Sequence, residues 1–278
     1  MRLDEYIREK FNLSRSEAQK LNKEGLVLVN DEIKPNSYIV SREDDITIEE
    51  KDYSINAEKG EVPVIYEDEY FLIINKPNNL MVHPVGSIKS GTLYNYLIYN
   101  FPYLKDVPRG GIVHRLDKNT TGLMIIAKTE EAVYRFKEMF KNRSVEKLYM
   151  GIVEGRIIED EGIIPLSLKR DPKNPLKMIV NSDGKESLTK FKVIKRFKNN
   201  TLVRFNLVTG RTHQIRCHMA YIDYPLLGDH LYGKNLPYGQ YLVSYSLSFI
   251  HPFTNKNMHF EIEMPREFKD KIKELENE

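Results

Sequence analysis

Residues 111–129, "GIVHRLDKNTTGLMIIAKT", place His114, Arg115 and Asp117 between two apolar runs. The second run, "GLMIIAK", reads as a buried strand. Charge set between two segments that favour burial is costly unless it is paired or used. Immediately downstream, "TEEAVYRFKEMFKNR" predicts an amphipathic helix with Thr129 as N-cap, acids in its first turn and bases in its last. Upstream, "VIYEDEYFLIINKP" reads as two short strands around an acidic turn.

Further along, "KLYMGIVEG" alternates like a strand, as does "LVRFNLV", where Val203, Phe205 and Leu207 share one face. "THQIRCHMAYI" predicts a helix with Ile215, Met219 and Ile222 on one side. Strands outnumber helices and no βαβ rhythm is sustained. The expected fold class is therefore α+β, with a mixed, mainly antiparallel sheet.

The first fifty residues read as a separate small unit. Leu3, Tyr6, Ile7 and Phe11 fall on one face of a helix over residues 2–11. Ser14 and Glu17 have capping-box spacing for a second helix that runs to Glu24 and stops at Gly25. "LVLVN", a turn at Asn30-Asp31 and "DDITIEE" then supply a short hairpin. The expected organisation is a small domain over 1–50, a polar linker over 51–62 and a larger domain over 63–278.

With 278 residues, 41% of them hydrophobic, the chain can build a substantial core. The formal net charge of +2 does not by itself demand nucleic acid, and its distribution says more. Residues 1–50 hold 8 Lys and Arg against 12 Asp and Glu, a net of −4, which leaves +6 for the remainder. The single cysteine, Cys217, excludes a disulfide framework and a cysteine-built zinc site. The charged N-terminus lacks a signal-peptide core, and no segment approaches the roughly 20 apolar residues of a membrane span. A cytoplasmic protein with no membrane association is expected.

Several chemistries lack their motifs: there is no G-x-S-x-G, G-x-x-x-x-G-K-[ST], G-x-G-x-x-G or H-E-x-x-H. His213 and His218, five apart, do not share a helix face squarely, so no metal site is expected. Three polar islands remain: residues 114–117, "HRLD"; 147–149, "KLY"; and 209–216, "TGRTHQIR". A carboxylate beside a cation stays ionised even when partly desolvated, and could act as nucleophile or base toward a sugar carbon. A neighbouring tyrosine could move a proton. For any one island alone, a structural ion pair beside a packed tyrosine is the simpler reading.

Taken together the islands resemble the RluA/RluD-type family of RNA pseudouridine synthases. "NKPNNLMVHP" (75–84), "GGIVHRLDKNTTGLMIIAKT" (110–129), "EKLYMGIVEG" (146–155) and "LVTGRTHQIRCHMAYIDYPLLGDHLYG" (207–233) are similar to four of its motifs, in its order. "LSRSEAQKLNKEGLVLVN" (13–30) resembles an alpha-L type RNA-binding domain, first named for a ribosomal small-subunit protein. Asn119-Thr120-Thr121 stands where the family usually has Asp-Thr-Ser.

The resemblance implies a pseudouridine synthase fold that isomerises uridine to pseudouridine in RNA without a cofactor. It implies Asp117 as the catalytic carboxylate, paired with Arg211, and Tyr149 stacked on the uracil to help move a proton. Arg115 would brace the space left by a flipped-out nucleotide, whose extrusion costs a few kcal/mol. Lys147 would contact a phosphate or Asp117, and Ile215 would pack near the uracil. His114 and His83 are expected to shape their loops. On the second helix of the small domain, Arg15, Lys20 and Lys23 fall within about 140° of arc and would face RNA phosphates. Large-subunit ribosomal RNA is the expected target, with transfer RNA as the alternative, and the chain is expected to act as a monomer. From other classes, a non-catalytic RNA-binding ribosome-assembly factor would have no use for all three of Asp117, Tyr149 and Arg211. A carboxylate glycosidase would need a second acid that these motifs do not offer.

Overall fold

The computed structural model describes residues 1–11, 13–23, 27–30, 32–41, 44–48, 56–84 and 88–278. The chain divides into two compact units, Met1–Ser54 and Ile55–Glu278. The expected helix end at Glu24-Gly25, Asp31 of the turn and residues 51–55 of the linker lie outside the described residues.

In the first unit, α1 (Leu3–Lys10) and α2 (Arg15–Lys23) share an apolar cluster with β1 (Val27–Val29) and β2 (Ile46–Ile48), an antiparallel pair. The cluster is built from Leu3, Ile7, Ala18, Val27, Val29 and Ile46. Ser14 and Glu17 cap α2 reciprocally: Ser14 N–H donates to Glu17 Oε2 at 2.8 Å, and Glu17 N–H to Ser14 Oγ at 3.3 Å. Phe11 departs from its expected place on the buried face of the first helix. Its backbone has left helical geometry (φ −112°, ψ 11°), so the four-residue register from Ile7 fails and the ring is 40% exposed.

In the second unit, β3 (Val64–Glu67) and β4 (Phe71–Lys76) lead to α3 (Leu93–Asn100) and two 3-10 turns, Pro102–Asp106 and Pro108–Gly111. Then come β5 (Thr121–Ala127), α4 (Glu130–Lys141), β6 (Glu146–Glu154), β7 (Glu161–Ile164) and the short β8 (Leu168–Arg170) and β9 (Met178–Val180). The chain closes with β10 (Thr189–Arg196), β11 (Asn200–Leu207), α5 (Gln214–Tyr221), β12 (Leu242–Ile250), β13 (Asn257–Glu261) and α6 (Arg266–Glu276).

Nine strands form one sheet in the order β3-β4-β5-β12-β6-β11-β10-β7, with β13 on the second half of β12. Every pairing in it is antiparallel except β5 with β12, so the sheet is mixed and mainly antiparallel. β8 and β9 form a separate hairpin.

All seven residues of β5 are buried, flanked by β4 and β12. Gly122 permits the approach to β12: at φ 115° a Cβ would lie 2.2 Å from Ser244 O. Alternation sorts the central strands into two faces. Tyr149, Val203, Phe205, Leu207 and Leu242 face one cluster, while Leu148, Met150, Ile152 and Leu202 pack with Phe268 and Leu275 of α6 on the other. The Thr129 side chain caps α4, accepting from Ala132 N–H at 3.1 Å. Among the described residues no helix is long and apolar enough to cross a membrane.

Candidate active site

Asp117 lies on the loop between the second 3-10 turn and β5, at the edge of a cavity of about 340 Å³. Arg115, Lys147, Tyr149, Arg211 and Ile215 line the same cavity. β6 contributes Lys147 and Tyr149, and α5 with the turn before it contributes Arg211, His213, Ile215 and Arg216. Three segments far apart in sequence therefore converge on one carboxylate. Arg15, Lys20 and Lys23 belong to the other unit, where all three are exposed on α2.

The expected partner of Asp117 is corrected. Arg216, not Arg211, donates to it, from Nη1 to Oδ2 at 2.9 Å. Arg211 is exposed and turns its Nε–H toward Glu186 O at 3.0 Å. The reason lies in α5, whose first six residues, Gln214 to Met219, are all buried, so an arginine inside it must be paired. Asp229, fully buried, supplies the second half of the clamp: its Oδ2 accepts Arg216 Nε–H at 2.7 Å and its Oδ1 accepts Nη2–H at 2.8 Å. Burial alone would lower the Arg216 pKa. The hydrogen bond to Asp229 and the charges of Asp117 and Asp229 outweigh it and raise the pKa above its usual value. Asp117 Oδ2 is thus occupied, while among the described residues none donates to Oδ1.

Tyr149 sits in β6 opposite Phe205 of β11 and Ser244 of β12, and is 5% exposed. Burial pushes its phenol up to about 12, with the Asp117 charge adding to the shift, so it is protonated at neutral pH. Lys147 makes no ion pair with Asp117. Its ammonium lies 5.6 Å from the centre of the Phe140 ring, and burial pulls its pKa down to about 8. Arg115 is exposed at the cavity and, among the described residues, has no carboxylate within ion-pair distance. His114 Nε2 accepts Ile125 N–H at 2.9 Å, which ties the loop to β5, and burial drives its pKa down to about 3. His83 Nε2 is buried and without a hydrogen-bond partner among the described residues.

Lys76, at the end of β4, has no role assigned by the motif it lies in, yet it holds the loop. Its fully buried ammonium donates to Pro77 O and Leu80 O at 2.9 Å each and to Lys118 O at 3.0 Å. Three protons meet three carbonyls, and the last of them belongs to the residue after Asp117. Burial lowers the Lys76 pKa to about 7, opposed by the Asp117 charge. The unfolded chain, titrating near 10.5, therefore holds more protons than the folded chain between about pH 7 and 10.5. Stability from this group rises with pH across that window and is lowest below it. Lys76→Met is expected to flatten the rise of the urea midpoint with pH. A variant whose profile runs parallel to the parent's would contradict this.

The Asp117 loop, the β6 tyrosine and the α5 arginine lie within residues 70–221, which match the family model described as RNA pseudouridylate synthase. The chain belongs to this family. Residues 1–46 match the S4 domain model. The synthase is 37% identical over 284 residues to the "Uncharacterized RNA pseudouridine synthase YlyB" of Bacillus subtilis, covering 99% of this chain and 94% of that one. It is 43% identical over 224 residues to the "Ribosomal large subunit pseudouridine synthase D" of Buchnera aphidicola, covering 74% of this chain and 70% of that one. Among solved structures it resembles "Human RNA Pseudouridylate Synthase Domain Containing 1", with a TM-score of 0.61 and 26% identity over 74% of this chain and 86% of that one. It is an RNA pseudouridine synthase, and the α+β expectation for its sheet and for the small N-terminal domain holds.

Proposed function

We propose that the synthase isomerises specific uridines in large-subunit ribosomal RNA, with Asp117 acting on the target ribose. The supporting observation is a carboxylate with one oxygen clamped by Arg216 and the other unbonded, in a cavity shared with Tyr149. The cavity is near the lower end of the usual range for small-ligand sites, about 300–1,000 Å³. It suits one extruded nucleotide and is too small for a helical stem.

The bond between uracil N1 and the sugar C1′ breaks, the base turns, and C5 bonds to C1′. The C5 proton leaves and N1 gains one, so atoms balance without a co-reactant. Asp117 either attacks C1′ or removes the adjacent sugar proton, and either role uses the unbonded oxygen. Tyr149 meets the uracil as a phenol: its ring stacks and its hydroxyl passes the C5 proton on. Ile215 packs against the base, the Lys147 ammonium contacts a phosphate, and the exposed Arg115 guanidinium fills the place the base has left. On the small domain Arg15, Lys20 and Lys23 meet phosphates, a contact that weakens as salt rises. The enzyme works as a monomer without a cofactor. Relatives named for the large ribosomal subunit support the choice of RNA.

The test is tritium release from transcripts labelled at uracil C5. Release from large-subunit ribosomal RNA is expected. Release from transfer RNA alone would overturn the target, and release from neither would overturn the reaction.

A further inference from the structure

His213 has no part in the roles above, yet its side chain is only 14% exposed and lines the cavity. It precedes α5 in the left-handed region (φ 53°, ψ 23°), a conformation that non-glycine residues adopt at a cost. Nδ1 lies 3.1 Å from Tyr232 Oη, and the two rings meet edge to face at 5.7 Å. Tyr232 Oη is itself fixed by Met178, accepting its N–H at 2.6 Å and lying 3.2 Å from its carbonyl oxygen, a second acceptor for the hydroxyl proton. At the other end of the imidazole, Nε2 is 3.8 Å from Asp117 Oδ2, beyond hydrogen-bond reach. No described residue bonds to Nε2.

Burial lowers the His213 pKa, against the pull of the Asp117 charge, so the ring is neutral and carries one N–H. A carboxylate facing Nε2 favours the proton there rather than a lone pair. In that tautomer Nδ1 is an acceptor, and at 3.1 Å it shares the Tyr232 hydroxyl proton with Met178 O at 3.2 Å. The result is an unused N–H donor beside the carboxylate, separated from it by a gap.

We infer that His213 Nε2–H binds the 2′-hydroxyl of the target nucleotide and makes the synthase select ribose. This rests on the proposed action of Asp117 at C1′ or C2′, since the hydroxyl is the substituent on C2′. One hydroxyl oxygen about 2.8 Å from each atom spans the gap, accepting from the imidazole and donating to the carboxylate. A deoxyribose leaves a buried donor unpaired. Sites built to bond a hydroxyl discriminate strongly against analogues that lack it.

The experiment uses a short synthetic RNA spanning the mapped site, with either uridine or 2′-deoxyuridine at the target. Tritium release by the parent enzyme from the all-ribose RNA reads the proposed reaction separately. The parent is expected to prefer ribose on the order of 100-fold in kcat/KM. In His213→Ala the uridine rate falls and the preference shrinks to a few-fold. Tyr232→Phe keeps the ring but removes the hydroxyl that faces Nδ1, and lowers the preference part-way. Differences in intrinsic reactivity between the two sugars are common to all the enzymes and cancel. A slow His213→Ala enzyme that keeps the full preference would reduce the residue to a structural part and overturn the inference. So would a parent enzyme that does not discriminate.

Discussion

Asp117→Asn is expected to leave folding and RNA affinity close to the parent's and to abolish tritium release, a rate loss on the order of 10⁴-fold or more. Asparagine has nearly the same shape, so the cavity keeps its walls. Its amide oxygen can still accept from Arg216 Nη1, and Arg216 keeps both bonds to Asp229. The network that positions the loop, Lys76 to Lys118 O and His114 to Ile125 N–H, is untouched. What disappears is the oxygen that could attack a sugar carbon or take its proton, and an amide does neither at neutral pH. Thermal melting and RNA retention on a filter check the first half, and the C5 tritium assay checks the second. Activity within ten-fold of the parent's would remove Asp117 from the chemistry, and with it the roles proposed for its neighbours.

Much of the frame could be read locally. The buried run of β5, the alternation in β6 and β11, the Thr129 cap and the Ser14–Glu17 pair each leave a signature within one element. α3 leaves no clear signature, because "LYNYLIYN" is apolar nearly all round and its cap is a Thr92–Asn95 pair rather than the usual serine and glutamate. At the site, sequence motifs marked which segments meet but not which atoms do. Arg211 and Arg216 stand five residues apart in one motif, and either could reach an aspartate. The choice is made by Asp229, which has no local pattern linking it to Asp117. A signal was available in α5: with Ile215, Cys217 and Met219 around it, an arginine at 216 had little solvent to turn to. Lys76 lies in the 75–84 motif, but the motif gives it no role, and only the fold brings three carbonyls to its head.

Arg216→Leu and Arg211→Leu separate these two arginines. Arg216→Leu is expected to cost about 3–5 kcal/mol of stability, the scale for breaking a buried pair. It strands two carboxylates at once, one of them fully buried, and removes a guanidinium lying 5.3 Å from the centre of the Tyr232 ring. Backbone N–H groups of Leu231 and Tyr232 still reach Asp229 Oδ1, but no second cation pairs with it among the described residues. Arg211→Leu removes an exposed head bonded to one carbonyl and should stay within about 0.5 kcal/mol. Adding Asp229→Asn to Arg216→Leu is expected to recover part of the loss, since one stranded charge is gone, and the non-additivity measures the pairing directly. Arg216→Lys should fall between, because a single ammonium cannot bridge both carboxylates with the geometry of the fork. Urea denaturation of the set gives the answer: equal losses for the two leucine variants would return the pairing with Asp117 to Arg211.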